Sequence, residues 1–200
     1  LFNFKKDKMD YKKTLRNVKN FWKIAEINEI ARRYFTMNIF DNVLMILGIL
    51  LASSFSNLGS EIIITTIIGA AIAATISGIS GAYMAESAER KSKIKILERK
   101  ISISLKRSPI ARAHKFATFF LALVNGLPSI LVALFIMLPF FVIANLKIAY
   151  YISIAFAFLV LFFIGALFGK LNKENLVLAG FRMIFVGIIC ATIIFLVQGI

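Results

Sequence analysis

The sequence predicts an all-α, polytopic membrane protein with five transmembrane helices, preceded by a basic amphipathic helix at the membrane interface. Three observations carry this reading. Hydrophobic residues make up 60% of the 200-residue chain and charged residues only 17%, whereas soluble domains hold about 45–50% and about 25%. The apolar residues gather in stretches long enough to cross a bilayer, which takes about 20 residues. The 24 Lys and Arg outnumber the 10 Asp and Glu for a net charge of +14, and nearly all of them fall outside those stretches. Mean hydropathy is +0.84. A disordered chain is excluded, because it needs low hydrophobicity. The single cysteine, Cys190, and single histidine, His114, exclude a disulfide scaffold and a Cys/His metal cluster.

The first 33 residues hold ten bases, from Lys5 to Arg33. Tyr11, Leu15, Val18, Trp22 and Ala25 recur at steps of four and three, which is a helical apolar stripe. A basic amphipathic helix with an interfacial Trp lies on a membrane surface. No Gly or Pro interrupts Asp10–Phe40, so this helix leads directly into the first span.

The predicted spans are Tyr34–Leu58, Ile62–Met84, Phe116–Ala144, Ile148–Gly169 and Leu176–Ile200. The first carries one acid, Asp41, and the last one base, Arg182; the other three carry no charge. Asn125-Gly126, Pro128 and Pro139 interrupt the third. It reads as one long, tilted or broken helix. Two short helices are the alternative, at the cost of unpaired backbone in lipid. The loop 85–115 holds another ten bases. It begins as a continuation of the second helix through Ile94, Leu97, Ile101 and Leu105, although Ile101–Ser104 also admits a short strand. Ser108-Pro109 ends that segment, and a new helix leads into Phe116.

The division is therefore a cytoplasmic basic segment, residues 1–33, and a five-helix membrane domain, residues 34–200. On an up-down path the N-terminal segment, the loop 85–115 and the fourth connection share one face. With Arg182, near the fourth connection at the start of the last span, counted on that face, only Lys147 of the 24 bases falls elsewhere. Cytoplasmic loops carry the Lys and Arg excess, so the N-terminus is expected inside and the C-terminus outside, in a prokaryotic cytoplasmic membrane. The basic face suits anionic lipid headgroups. Topology accounts for the bases, so no nucleic-acid partner is expected.

Asp41 is the sharpest single feature. A carboxylate within a span costs about 2.5–3.5 kcal/mol and persists where it meets a cation, a partner or an aqueous cavity. Either it binds a cation or proton, or it snorkels and pairs with Arg32 or Arg33. Asn125-Gly126-Leu127-Pro128 is a second candidate, since Gly and Pro free backbone carbonyls that can become ligands. Asn125 could equally make only a helix–helix hydrogen bond. Small residues from Gly69 to Ala82 give the second helix a face for close packing in lipid. Glu86 and Glu89 share a helix face and could hold a hard cation. Alternatively Arg90, Lys93 and Lys95 neutralise them as surface pairs. His114 stands alone, and Cys190 reads as a small buried hydrophobe. There is no Gly-rich phosphate loop, no Ser/His/Asp set and no cluster of membrane carboxylates, so an enzyme is not expected.

These residues resemble a family. Tyr34-Phe35-Thr36-Met37-Asn38-Ile39-Phe40-Asp41-Asn42, followed by Leu44–Ser54, is similar to the first helix of the vacuolar iron transporter family. Ile76-Ser77-Gly78-Ile79-Ser80-Gly81-Ala82-Tyr83, Leu138-Pro139-Phe140 and Phe181-Arg182-Met183 with Gly187 resemble its second, middle and last helices. The likeness runs over roughly residues 34–200. It implies a dimeric exporter of Fe²⁺ or Mn²⁺ from the cytoplasm against protons, with Asp41 as the intramembrane metal and proton ligand. The ion would be cargo, with no permanently bound cofactor. Two positions depart from the family pattern: Gly78 stands where the family has Met, and Ala82 where it has an acid. The family's Glu-rich cytoplasmic helix pair is replaced by a short, basic segment.

Overall fold

The structure, a computed structural model, describes residues 27–56, 58–102, 104–105 and 108–198. The amphipathic helix read at Tyr11–Ala25 lies outside the described residues. Five helices follow one another: α1 (Ile27–Phe55), α2 (Ser60–Ile101), α3 (Pro109–Val142), α4 (Leu146–Asn172) and α5 (Leu176–Gln198). Each is long and apolar enough to cross a membrane, and no strand occurs among the described residues. Such a set of helices has nowhere to bury its apolar surface in water, and the protein is an integral membrane protein.

The helix ends follow from local chemistry. α1 runs without a break through Arg33-Tyr34, as the absence of Gly and Pro there requires. At 42 residues, α2 is about 63 Å long at 1.5 Å per residue, roughly twice the hydrocarbon thickness. Its second half is the basic segment, which continues the helix up to Ile101 and does not form a strand. Ser102 then takes a left-handed conformation, φ 55°, and Glu98 Oε1 accepts the Leu105 N–H at 2.6 Å. Ser108 caps α3, its Oγ accepting the Ala111 N–H at 3.2 Å. Pro109 follows at the first helical position, where its missing N–H costs nothing. α3 is a single helix that contains both Pro128 and Pro139, so the one-helix reading of this span is the one that forms.

α4 and α5 make a tight helical hairpin. The Asn145 side chain caps α4, accepting the N–H groups of Lys147 and Ile148 at 3.1 and 3.3 Å. At the other end Lys173 adopts a left-handed conformation, φ 58°, and the Glu174 N–H reaches back to the Gly169 carbonyl at 2.8 Å. Asn175 then caps α5 through the Val177 N–H at 3.1 Å. The helices approach along glycines. A Cβ at Gly165 would lie 2.5 Å from the Ala179 carbonyl oxygen, and one at Gly180 would lie 2.5 Å from the Phe162 ring.

The described chain forms two compact units, residues 27–34 with Ile79–Asn125, and Phe35–Gly78 with the rest of the chain from Gly126 onward. In the first, Ile27, Ala117 and Leu121 form a small buried core flanked by Ile30, Tyr34 and Phe120. In the second, α1 (Val43, Ile46, Leu47, Leu50), α2 (Ile63, Ile67), α3 (Ile136, Met137) and α4 (Ala157, Leu161) share one buried core. Gly69 of α2 has open space where a Cβ would stand, so the small-residue face is not consumed by packing there.

Candidate functional site

Within the second unit, α1 and α3 bring polar side chains together inside apolar stretches. Asn38 and Asn42 are one helical turn apart on α1 and therefore share a face. The Asn42 Nδ2 donates to the Asn38 carbonyl at 2.7 Å, to Asn38 Oδ1 at 3.2 Å and to Ser129 Oγ at 3.0 Å. Ser129 Oγ in turn donates to Asn38 Oδ1 at 2.9 Å. Asn42 and Ser129 are buried, at 4% and 0% exposure, yet Asn42 Oδ1 has no hydrogen-bond partner among the described residues. A buried carbonyl oxygen left unpaired costs about 1–3 kcal/mol. It is a hard oxygen donor without an assignment.

Asp41 adjoins this cluster in sequence and is exposed. Consecutive helical residues differ in direction by about 100°, so Asp41 and Asn42 lie on neighbouring faces. Arg33 precedes Asp41 by eight residues, about 12 Å of helical rise, and no ion pair holds Asp41 among the described residues. Asn125 is half-buried on α3 and belongs to the first unit. Among the described residues no three His, Cys, Asp or Glu side chains gather as a metal cluster.

The first unit contains a buried charged network that the sequence suggests only as surface pairs. Glu86 Oε2 accepts from Arg90 Nε at 2.8 Å, and Glu86 Oε1 accepts from the Tyr34 hydroxyl at 3.0 Å. Glu86 and Arg90 are only 3% and 5% exposed. Arg90 Nη1 lies 3.1 Å from His114 Nδ1. Guanidinium can only donate, so Nδ1 is the acceptor and the imidazole proton sits on Nε2. His114 precedes the apolar part of α3. Burial first, then the charges of Arg90 and Lys93, push its pKa below the ordinary histidine value, while Glu86 opposes them. Its imidazole is neutral at pH 7.

Glu89 makes the exposed pair expected of it, with Lys93 Nζ at 2.7 Å, and Lys93 holds its carboxyl below the usual range. Thus the carboxylates of Glu86 and Glu89, read as candidate cation ligands, both face bases. The i,i+4 spacing of Glu86–Arg90 and Glu89–Lys93 is the sequence signal for this arrangement, since Glu four residues before a base is the favoured order on a helix.

Beside the network, α2 and α3 of the first unit enclose a cleft of about 910 Å³. Four bases line it, Arg90, Lys91, Lys95 and Lys115, with Glu98 the acid among them. Tyr83 and Phe119 form its apolar end.

Asn38, Asn42 and Ser129 were not legible as a site, although polar residues in an apolar run were the signal. Sequence reasoning favoured Asn125 as the polar residue of α3; the structure joins Ser129 to α1 within the second unit.

No family model matches the chain. The chain is 30% identical over 174 residues to a protein named "Uncharacterized protein MJ0645" from Methanocaldococcus jannaschii, an alignment that covers 85% of this chain and 90% of that protein. Identity at that level over most of both sequences places the chain in the family of that archaeal protein.

Proposed function

We propose that the protein is a membrane transporter that exports a divalent transition metal, Fe²⁺ or Mn²⁺, from the cytoplasm in exchange for protons. The observation that carries this reading is Asp41. It is a carboxylate in an apolar helix without an ion-pair partner among the described residues, next in sequence to a buried cluster whose Asn42 carbonyl oxygen has no hydrogen-bond partner among them. A lone carboxylate in a span is costly when charged. It is stable either with a proton or with a cation, and that alternative is the basis of exchange: binding the metal releases the proton. Amide and hydroxyl oxygens are the type of donor that completes such a site for Mn²⁺. The resemblance to the vacuolar iron transporters supports the same assignment, with the chain as a divergent branch. The proposed form is a homodimer in a prokaryotic cytoplasmic membrane, with the N-terminus cytoplasmic and the C-terminus outside. The open small-residue face of α2 suits close packing against a second copy.

The test is metal flux into proteoliposomes along an imposed pH gradient. Wild-type protein is expected to move Fe²⁺ or Mn²⁺, and Asp41→Asn to abolish that movement while leaving the helical circular dichroism unchanged. Equal flux in the variant removes Asp41 from the site. A folded wild-type protein that moves no divalent metal refutes the transport reading.

A second reading, a non-transporting, lipid-interacting protein on the same fold, is favoured by a different observation. Glu86 and Glu89 are occupied by Arg90 and Lys93, and the face around them is basic, which repels cations.

A further inference from the structure

We propose that the cleft between α2 and α3 in the first unit binds the phosphate of an anionic phospholipid. The proposal does not depend on metal transport. It rests on three properties of the cleft that coincide.

The first is charge. Arg90 is matched by Glu86, and Glu98 gives one oxygen to the Leu105 N–H. Lys91, Lys95 and Lys115 are exposed, and none forms an ion pair among the described residues. Set against the Glu98 carboxylate, the three ammonium groups leave a net charge of about +2 around one volume, which favours an anion. Lysine serves phosphate as a point charge, without the planar fork that selects carboxylates.

The second is level. Lys115 immediately precedes the apolar run that starts at Phe116. Lys91 stands seven residues, about 10 Å of helical rise, beyond Met84 at the end of the apolar part of α2. The headgroup layer occupies about 5–8 Å on each side of the hydrocarbon, and lysine stems reach several ångströms toward it. Lys91 and Lys115 are thus placed where lipid phosphates lie, and Lys95, eleven residues or about 16 Å of helical rise beyond Met84, stands farther out.

The third is the apolar end. Tyr83 and Phe119 are 50% and 59% exposed, on the membrane side of the lysines. They offer a surface to the glycerol and upper acyl carbons, which a soluble phosphate ion does not use. The volume of about 910 Å³ lies within the range of about 300–1,000 Å³ usual for small-molecule sites.

The test uses delipidated full-length protein in detergent, titrated with phosphatidylglycerol or phosphatidylcholine, with bound lipid counted by native mass spectrometry. Wild-type protein is expected to prefer phosphatidylglycerol by about tenfold or more. The triple variant Lys91→Gln, Lys95→Gln, Lys115→Gln is expected to lose that preference, and Lys115→Gln alone to lose part of it. The control Lys170→Gln, Lys173→Gln, in the second unit, keeps it. These lysines are exposed, so the variants are expected to keep wild-type thermal stability. Equal retention of the two lipids by wild type, or an intact preference in the triple variant, overturns the proposal. Binding of inorganic phosphate without a preference for the anionic lipid overturns the lipid assignment.

Discussion

Glu86 and Arg90 carry the largest single-residue consequence. A buried ion pair adds little net stability, because both charges were stripped of water, but removing one partner strands the other and costs about 3–5 kcal/mol. Arg90→Gln is therefore expected to destabilise the protein by about that much, read from unfolding in detergent. The double change Glu86→Gln, Arg90→Gln should cost less than the sum, and an additive result would show that the pair is not coupled. His114 adds a pH dependence. Its folded pKa lies below the ordinary value, so the unfolded chain takes up the proton first. Its contribution is fully present above about pH 6.5 and is lost as the pH falls below that. Stability is expected to decline from pH 7 to 5, and His114→Asn should flatten that part of the profile. A profile unchanged by the substitution would assign the decline to other groups. At this scale Asp41 stood out as an acid in an apolar run, with a cation site and a snorkelling carboxylate as its two readings. The partners of Asn42 were not. Ser129 is 87 residues away, and no local pattern tells which polar residue of α3 meets α1.

The helices themselves were readable almost to their ends. Apolar length set the five spans, and Ser108-Pro109 marked the start of α3. What sequence left open were the elements with two workable local solutions. The alternation at Ile101–Ser104 suits a strand, yet a lone strand has no neighbour to pair with, so the helix continues to Ile101 instead. Pro128 and Pro139 break a helix in water; in an apolar surrounding the unpaired backbone of a break costs more than two lost hydrogen bonds. The α4–α5 hairpin gives a prediction at this scale. Gly165 faces the Ala179 carbonyl oxygen and the Gly180 backbone, neither of which can move aside as a side chain does. Gly165→Leu is expected to push the helices apart and cost at least about 1–3 kcal/mol. The matched change Gly69→Leu, where a Cβ meets open space, should leave the stability of the single chain near wild type. Equal losses at both positions would refute a glycine-dependent seam.

For the molecule as a whole, charge distribution and helix count make one joint prediction about topology. In a cysteine-free Cys190→Ser background, Ser104→Cys is expected to react with a membrane-impermeant maleimide from the cytoplasmic side only, and Asn145→Cys from the outer side only. The reverse labelling would invert the proposed orientation, and labelling of both from one side would refute the up-down path. The cytoplasm-only labelling of Ser104→Cys is the outcome expected if topology accounts for the +14 charge of the chain. By itself the sequence determined that the protein is helical, with five segments long and apolar enough to cross a membrane, because hydrophobic length is a local property that the bilayer reads directly. Only the tertiary structure decided that Glu86 is buried against Arg90 and Tyr34, that Asn42 meets Ser129, and that three lysines surround one cleft. The Glu86–Arg90 pair is local, but Tyr34 meets Glu86 across 52 residues and Asn42 meets Ser129 across 87, and the choice among such distant polar partners is made by packing, which no local pattern encodes.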